Sequence, residues 1–220
     1  LVYHVINRGN GREKIFRKPA DYAAFEKVLT EAMARTPTRL LAWCLMPTHW
    51  HLVLWPRRDG ELSDFVRWLT QTHTQRWHAH HRSAGSGHVY QGRFKSFPIE
   101  RDEHLLTVLR YVERNALRAK RVKRAQDWRW SSLWARQSGD DTLKALASDW
   151  PVDRPRNWVE TVNRPQTAEE LDAVRQSVIR SSPFGSARWV KGTVKKLGLE
   201  WTQRPRGRPR VRPIKDSRRV

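Results

Sequence analysis

The chain has 220 residues, enough for one substantial core with a smaller appendage. Its 43 Lys and Arg against 22 Asp and Glu leave a formal charge of +21, which points to a polyanionic partner, nucleic acid before membrane or acidic protein. No stretch is long and apolar enough to span a bilayer, none reads as a secretory leader, and the single cysteine, Cys44, excludes a disulfide framework or a thiolate metal cage and suits a reducing cytoplasm. Leu1 enters directly into a strand-like run, so the natural start is expected upstream. The 12 tryptophans serve either as core or, interleaved with arginine, as stacking surfaces for unpaired bases.

Residues Leu1 to Arg8 alternate Val2, His4 and Ile6 against Tyr3, Val5 and Asn7, the pattern of a first strand, which Gly9-Asn10-Gly11 turns. Pro19 starts a helix whose Tyr22, Phe25, Val28, Leu29, Ala32 and Met33 recur at helical spacing up to Pro37. Thr38 to Leu45 and His49 to Trp55 are two strands joined by Pro47-Thr48, a link too short for anything but an antiparallel hairpin. An amphipathic helix spans Glu61 to His81. The small-residue loop Ser83–Gly87 then leads to a fourth strand over His88–Ile99, with Gly92 at a bulge. Asp102 to Leu117 is a helix with the apolar stripe Leu105, Leu109, Val112 and Ala116. This order predicts an α+β fold of ferredoxin-like type, an antiparallel sheet with helices on one face.

Beyond about Arg118 a basic run and the cluster Trp128-Arg129-Trp130 lead into an irregular stretch, Asp149 to Arg164. Thr167 and Glu170 form a capping box for a helix to about Arg180, and a second helix runs from Ser186 to Leu197 with Gly198 as its stop. Two helices of this kind make either a small DNA-binding appendage or a generic helical hairpin. The tail from Arg204 is basic, proline-rich and expected to be disordered when free. Its Arg206, Arg208 and Arg210 are either a minor-groove hook or a non-specific polycation. The predicted divisions are 1–134, a helical extension over 135–203, and the tail over 204–220.

His49 and His51, two apart on a strand, project from one face, about 6–7 Å apart. They are either a metal-binding pair awaiting a third ligand or ordinary polar positions on the open face of a sheet. The 102–117 helix supplies what such a pair lacks. Tyr111 and Asn115 stand one turn apart beside its apolar stripe, so Asn115 can give a third ligand while Tyr111 presents its phenol to a phosphate on the metal. His73, His78, His80 and His81 share one helix without a clean ligand spacing to a carboxylate and are read as exposed or DNA-facing.

The segments Asn7-Arg8-Gly9-Asn10, Met46-Pro47 with His49-Trp50-His51, Gln91-Gly92-Arg93-Phe94-Lys95-Ser96 and Tyr111-Val112-Glu113-Arg114-Asn115 together resemble the REP-associated tyrosine transposases. These are relatives of the single-tyrosine HUH transposases of small bacterial insertion sequences. The resemblance covers about Leu1 to Trp134. It implies a ferredoxin-like nuclease domain, with Mg²⁺ or Mn²⁺ on His49, His51 and a polar third ligand at Asn115. Tyr111 would attack a single-stranded DNA phosphodiester to give a 5′-phosphotyrosine. The implied substrates are palindromic-repeat hairpins with a short flanking tetranucleotide, contacted by Arg8, Asn10, Arg12, Arg93 and Lys95. A cytoplasmic, nucleoid-associated monomer is expected, with a dimer open. The alternative is a non-catalytic protein that binds such hairpins.

Overall fold

The computed structural model describes residues 1–138 and 141–204. The period-two segments form four strands, β1 (Val2–Arg8), β2 (Arg39–Met46), β3 (His49–Trp55) and β4 (Lys95–Ile99). All pair antiparallel in the order β2-β3-β1-β4, the ferredoxin-like arrangement. The strands of the β2–β3 hairpin, the sheet's longest pairing, are joined only by Pro47-Thr48, as so short a link requires.

Alternation along the strands divides the apolar residues between two cores. Val5, Leu45, Trp50, Leu52 and Leu54 face the helices of the ferredoxin-like unit, α1 (Pro19–Arg35) and α2 (Glu61–His81), which lie together on one face as expected. Val2, Cys44, Val53, Phe97 and Ile99 face α3 (Glu103–Glu113) on the other, so the sheet is covered on both sides. The 102–117 helix is interrupted at Arg114, beyond which α4 (Asn115–Arg118) begins. The Arg114 guanidinium donates to the carbonyls of Val162 and Asn163, a tie that helical periodicity does not register.

The C-terminal extension is built of α5 (Ser132–Ser138), α6 (Asp141–Leu146), α7 (Trp158–Asn163), α8 (Ala168–Arg180) and α9 (Ala187–Leu197). Thr167 and Glu170 form the expected capping box on α8, and Ser186 and Gly198 bound α9. These helices are not separate from the sheet. Leu133, Trp158, Val162 and Val174 lie buried in the α3-side core. Phe184 donates its N–H to the Pro98 carbonyl and accepts from Glu100 N–H, which straps the α8–α9 turn to the outer edge of β4.

Three segments differ from their sequence reading. The stretch 149–164, expected to be irregular, contains α7, six residues long. Its Trp158 is buried because the indole N–H donates to Glu113 Oε2 at 2.6 Å. The fourth strand begins only at Lys95. Before it, Val89 and Tyr90 run beside the turn after β1, with Asn10 N–H on the Val89 carbonyl and Gln91 N–H on the Arg8 carbonyl. His73, read as exposed, is buried on the core side of α2, where its Nδ1 meets the Tyr90 hydroxyl at 2.7 Å. The tail residues 205–220, with Arg206, Arg208 and Arg210, lie outside the described residues. No helix among the described residues is long and apolar enough to cross a membrane.

Candidate active site

The face of the sheet that meets α3 carries the two histidines. In the antiparallel register His49 stands opposite Arg8 and Met46, and His51 opposite Ile6 and Cys44. Trp50, pointing the other way, is fully buried and donates its indole N–H to Tyr90, so the strand is anchored from behind. The two imidazole centroids are 5.0 Å apart and nearly perpendicular.

Each ring is held by its Nδ1. His51 Nδ1 lies 2.8 Å from His4 Nε2, and His49 Nδ1 lies 3.0 Å from the Thr48 hydroxyl. With Nδ1 engaged on both, a ligand bond falls to Nε2 of each. Burial pushes the His49 imidazole down to about 4, with the Arg8 and Arg118 charges adding to the shift. His51 is held well below its usual range by burial first, then by His49, His4, Arg118 and Arg8. Both rings are therefore neutral near pH 7, as metal ligation requires.

The amphipathic face of α3 buries Leu105, Val108, Leu109 and Val112 against the sheet, which brings Tyr111, in its last turn, over the histidines. The Tyr111 ring meets the His51 ring edge-on at 5.9 Å and the His4 ring at 6.4 Å. The Arg118 guanidinium lies 4.2 Å over the phenol ring and donates to the Tyr111 carbonyl. Asn115 opens α4 one turn beyond Tyr111; it is buried, and its amide Nδ2 has no hydrogen-bond partner. Two neutral imidazoles fit a divalent ion, and Asn115 joins such a set only through its amide oxygen, because the orphaned Nδ2 is a donor. Three uncharged ligands would leave the ion its full charge, and the nearby Arg8 and Arg118 favour an anionic guest such as phosphate.

Of the residues expected to touch DNA, the structure gathers three. Arg8, Arg93 and Lys95 line one cleft of about 420 Å³ between the β1–β4 end of the sheet and Val178 and Ile179 of α8. Arg8 pairs with His49 across β1–β3 and Lys95 with Ile6 across β1–β4, so two of the cleft's cations stand on strands next to the histidine strand or one further out. Arg93 also borders a more open groove against α2, with Arg67, Gln71 and Thr74. Asn10 lies in a separate hollow beside Trp77 and His88, and Arg12 is exposed with a left-handed backbone, φ 64°. These two are not brought to the cleft. Sequence reasoning passed over His4 and Arg118. His4 did leave a signal: it is the one imidazole on the otherwise apolar Val2-His4-Ile6 face of β1.

Residues 1–115, more than half the chain, match the family described as IS200-like transposases. The chain belongs to this family, and its activity class is transposase-like DNA processing. The structure of a REP-associated tyrosine transposase bound to a REP hairpin aligns at a TM-score of 0.51 with 19% identity, over 69% of this chain and 85% of that one, and shares the fold. A candidate transposase from Deinococcus radiodurans aligns at a TM-score of 0.41 with 19% identity, over 51% of this chain and 88% of its own. No curated protein matches the chain.

Proposed function

We propose that this transposase cleaves and rejoins single-stranded hairpin DNA through a covalent bond to Tyr111. The observation that carries the reading is the edge-on approach of the Tyr111 ring to His51, at 5.9 Å, on the sheet face that also bears His49. The protein of the same fold at a TM-score of 0.51 holds a REP hairpin, which makes palindromic-repeat hairpins the substrate to test first. A short flanking tetranucleotide and a monomeric enzyme belong to the same proposal.

The residues divide the work. His49 and His51 hold a divalent cation, Mn²⁺ or Mg²⁺, through their Nε2 atoms, and Asn115 offers its amide oxygen once that group is turned toward the ion. When bound, the cation withdraws charge from a scissile phosphate. Arg8, Arg93 and Lys95 seat the flanking phosphates in the cleft. Tyr111 Oη attacks phosphorus, the bond to the 3′-oxygen breaks, and the phenolic proton leaves with the released 3′-hydroxyl. A phosphodiester replaces a phosphodiester, so the step is reversible, and attack by another 3′-hydroxyl rejoins the strand. Arg118 above the phenol ring favours the developing phenolate.

The test is incubation of the full chain with labelled hairpin DNA and Mn²⁺. A denaturation-resistant protein–DNA adduct is expected from wild type and none from Tyr111→Phe. Tight hairpin binding with no adduct from wild type would establish the non-catalytic binder instead.

A further inference from the structure

The end of α2 and the start of α1 carry a second cluster of ligands on the opposite side of the sheet from the histidine pair. Asp21 of α1 with His80 and His81 of α2 present ligand atoms that all lie within 4.8 Å of one another. The carboxylate is buried and already oriented: its Oδ2 accepts the backbone N–H groups of Arg17 at 2.7 Å and Lys18 at 3.1 Å. Its Oδ1 is turned to His81, 3.4 Å from Nε2. That separation is the edge of a tetrahedron whose corners are about 2.1 Å from a central ion.

No hydrogen bond fills the gap. His81 Nε2 is buried without a hydrogen-bond partner, although the Asp21 oxygen is near. The Trp77 ring packs on His81 at 4.4 Å and is itself fixed by donating its indole N–H to the Ile15 carbonyl. His81 is thus held in place, while His80 is exposed, with its ring edge-on to that of His81 at 4.9 Å.

We propose that Asp21, His80 and His81 form a transition-metal site, for Zn²⁺ foremost, that staples the first turn of α1 to the last turn of α2. Two imidazoles and one carboxylate are a borderline-soft set suited to zinc, and a fourth position stays open to solvent through His80. The Asp21 carboxylate supplies the one negative charge of the set. The ion would fix the point at which α2 ends, at Arg82 with its left-handed φ of 50°, and so the start of the segment that presents Arg93.

The test is equilibrium dialysis of the full chain against Zn²⁺, with thermal melting of the same samples. His80→Ala, at an exposed position, and Asp21→Asn, which keeps an oxygen for the Arg17 and Lys18 N–H groups, should each bind one Zn²⁺ fewer per chain than wild type. Both should show a smaller zinc-dependent rise in melting temperature than wild type. The difference of one ion holds whatever the His49–His51 pair binds, so it is independent of the proposed cleavage chemistry. Equal zinc content in wild type and His80→Ala would overturn the site, as would an undiminished zinc-dependent rise in both variants.

Discussion

His4 Nε2 and His51 Nδ1 face each other at 2.8 Å between neighbouring strands, both rings buried. One proton serves the contact, and its position decides what His51 can do. If His51 donates, its Nε2 keeps a lone pair for a metal; if His4 donates, His51 Nε2 carries the hydrogen and cannot ligate. The far nitrogen of His4, Nδ1, is buried without a partner in either case. In the proposed metal site His4 would act as a positioning residue, at the cost of that unpartnered nitrogen. His4→Phe, packing against Phe97, removes the unpartnered Nδ1 but strands the buried His51 Nδ1, so it should leave the melting temperature about unchanged while weakening Mn²⁺ binding about 10- to 100-fold. Calorimetric titration with Mn²⁺ checks this, and an unchanged affinity would remove His4 from the site.

The cleft residues predict a graded salt response. If Arg93 and Lys95 each neutralise a phosphate, alanine at either should reduce the slope of log affinity against log salt by about 0.7 for single-stranded DNA. Arg12→Ala, away from the cleft, should leave the slope unchanged. Hairpin binding measured across a salt series separates the two groups, and a shallower slope for Arg12→Ala would move the DNA path.

Acid should unfold the chain partly through His73. Trp50 N–H donates to the Tyr90 oxygen and Tyr90 O–H donates to His73 Nδ1, an order that requires a neutral imidazole. Burial pushes His73 down to about 3, against about 6.5 in the unfolded chain. The unfolded state then binds more protons, so this stability is present above about pH 6.5 and is lost progressively as pH falls toward 3. At pH 4.5 the loss should be about 2–3 kcal/mol. His73→Gln, whose carbonyl can still accept from Tyr90, should shrink the difference in unfolding free energy between pH 7.5 and 4.5 by that amount.

Glu113 has the opposite sign. Burial raises its pKa, against hydrogen bonds from Ser132 at 2.6 Å and from Trp158. A raised carboxyl contributes stability below its unfolded pKa that is lost as pH rises through the folded value. Glu113→Gln keeps an acceptor for Trp158 and can donate to the Ser132 oxygen. It should match wild type in acid and gain on it as pH rises. Paired thermal melts between pH 4 and 8 would show the curves diverging; parallel curves would mean that Glu113 does not titrate in this range.

What the sequence made legible was periodic. The His49–Trp55 alternation, the stripe under Tyr111, the cap at Thr167 and the stop at Gly198 are local patterns, and each appears where its spacing put it. What stayed hidden was set across the chain. His73 looks polar in its own helix and is buried because Tyr90, 17 residues away, reaches it. Asp21 and His81 are in different helices, so no spacing within α2 could show the carboxylate. The short α7 is held by Trp158 on Glu113, and the break at Arg114 coincides with its ties to the α7 carbonyls. His4 was visible as an imidazole on an apolar face, but only the β1–β3 register gives it a partner.

The Phe184 strap on β4 has a counterpart at the other edge of the sheet. Along β2, Leu45 N–H bonds the Trp130 carbonyl, Trp43 N–H bonds the Ser132 hydroxyl, and the Leu40 carbonyl accepts from Ser148. Both outer strands therefore spend backbone hydrogen bonds on the chain's own C-terminal half. Two copies of this protein cannot join by running one sheet into the next without first peeling those segments away. Contacts through helices, side chains or a shared strand of DNA would leave those segments in place.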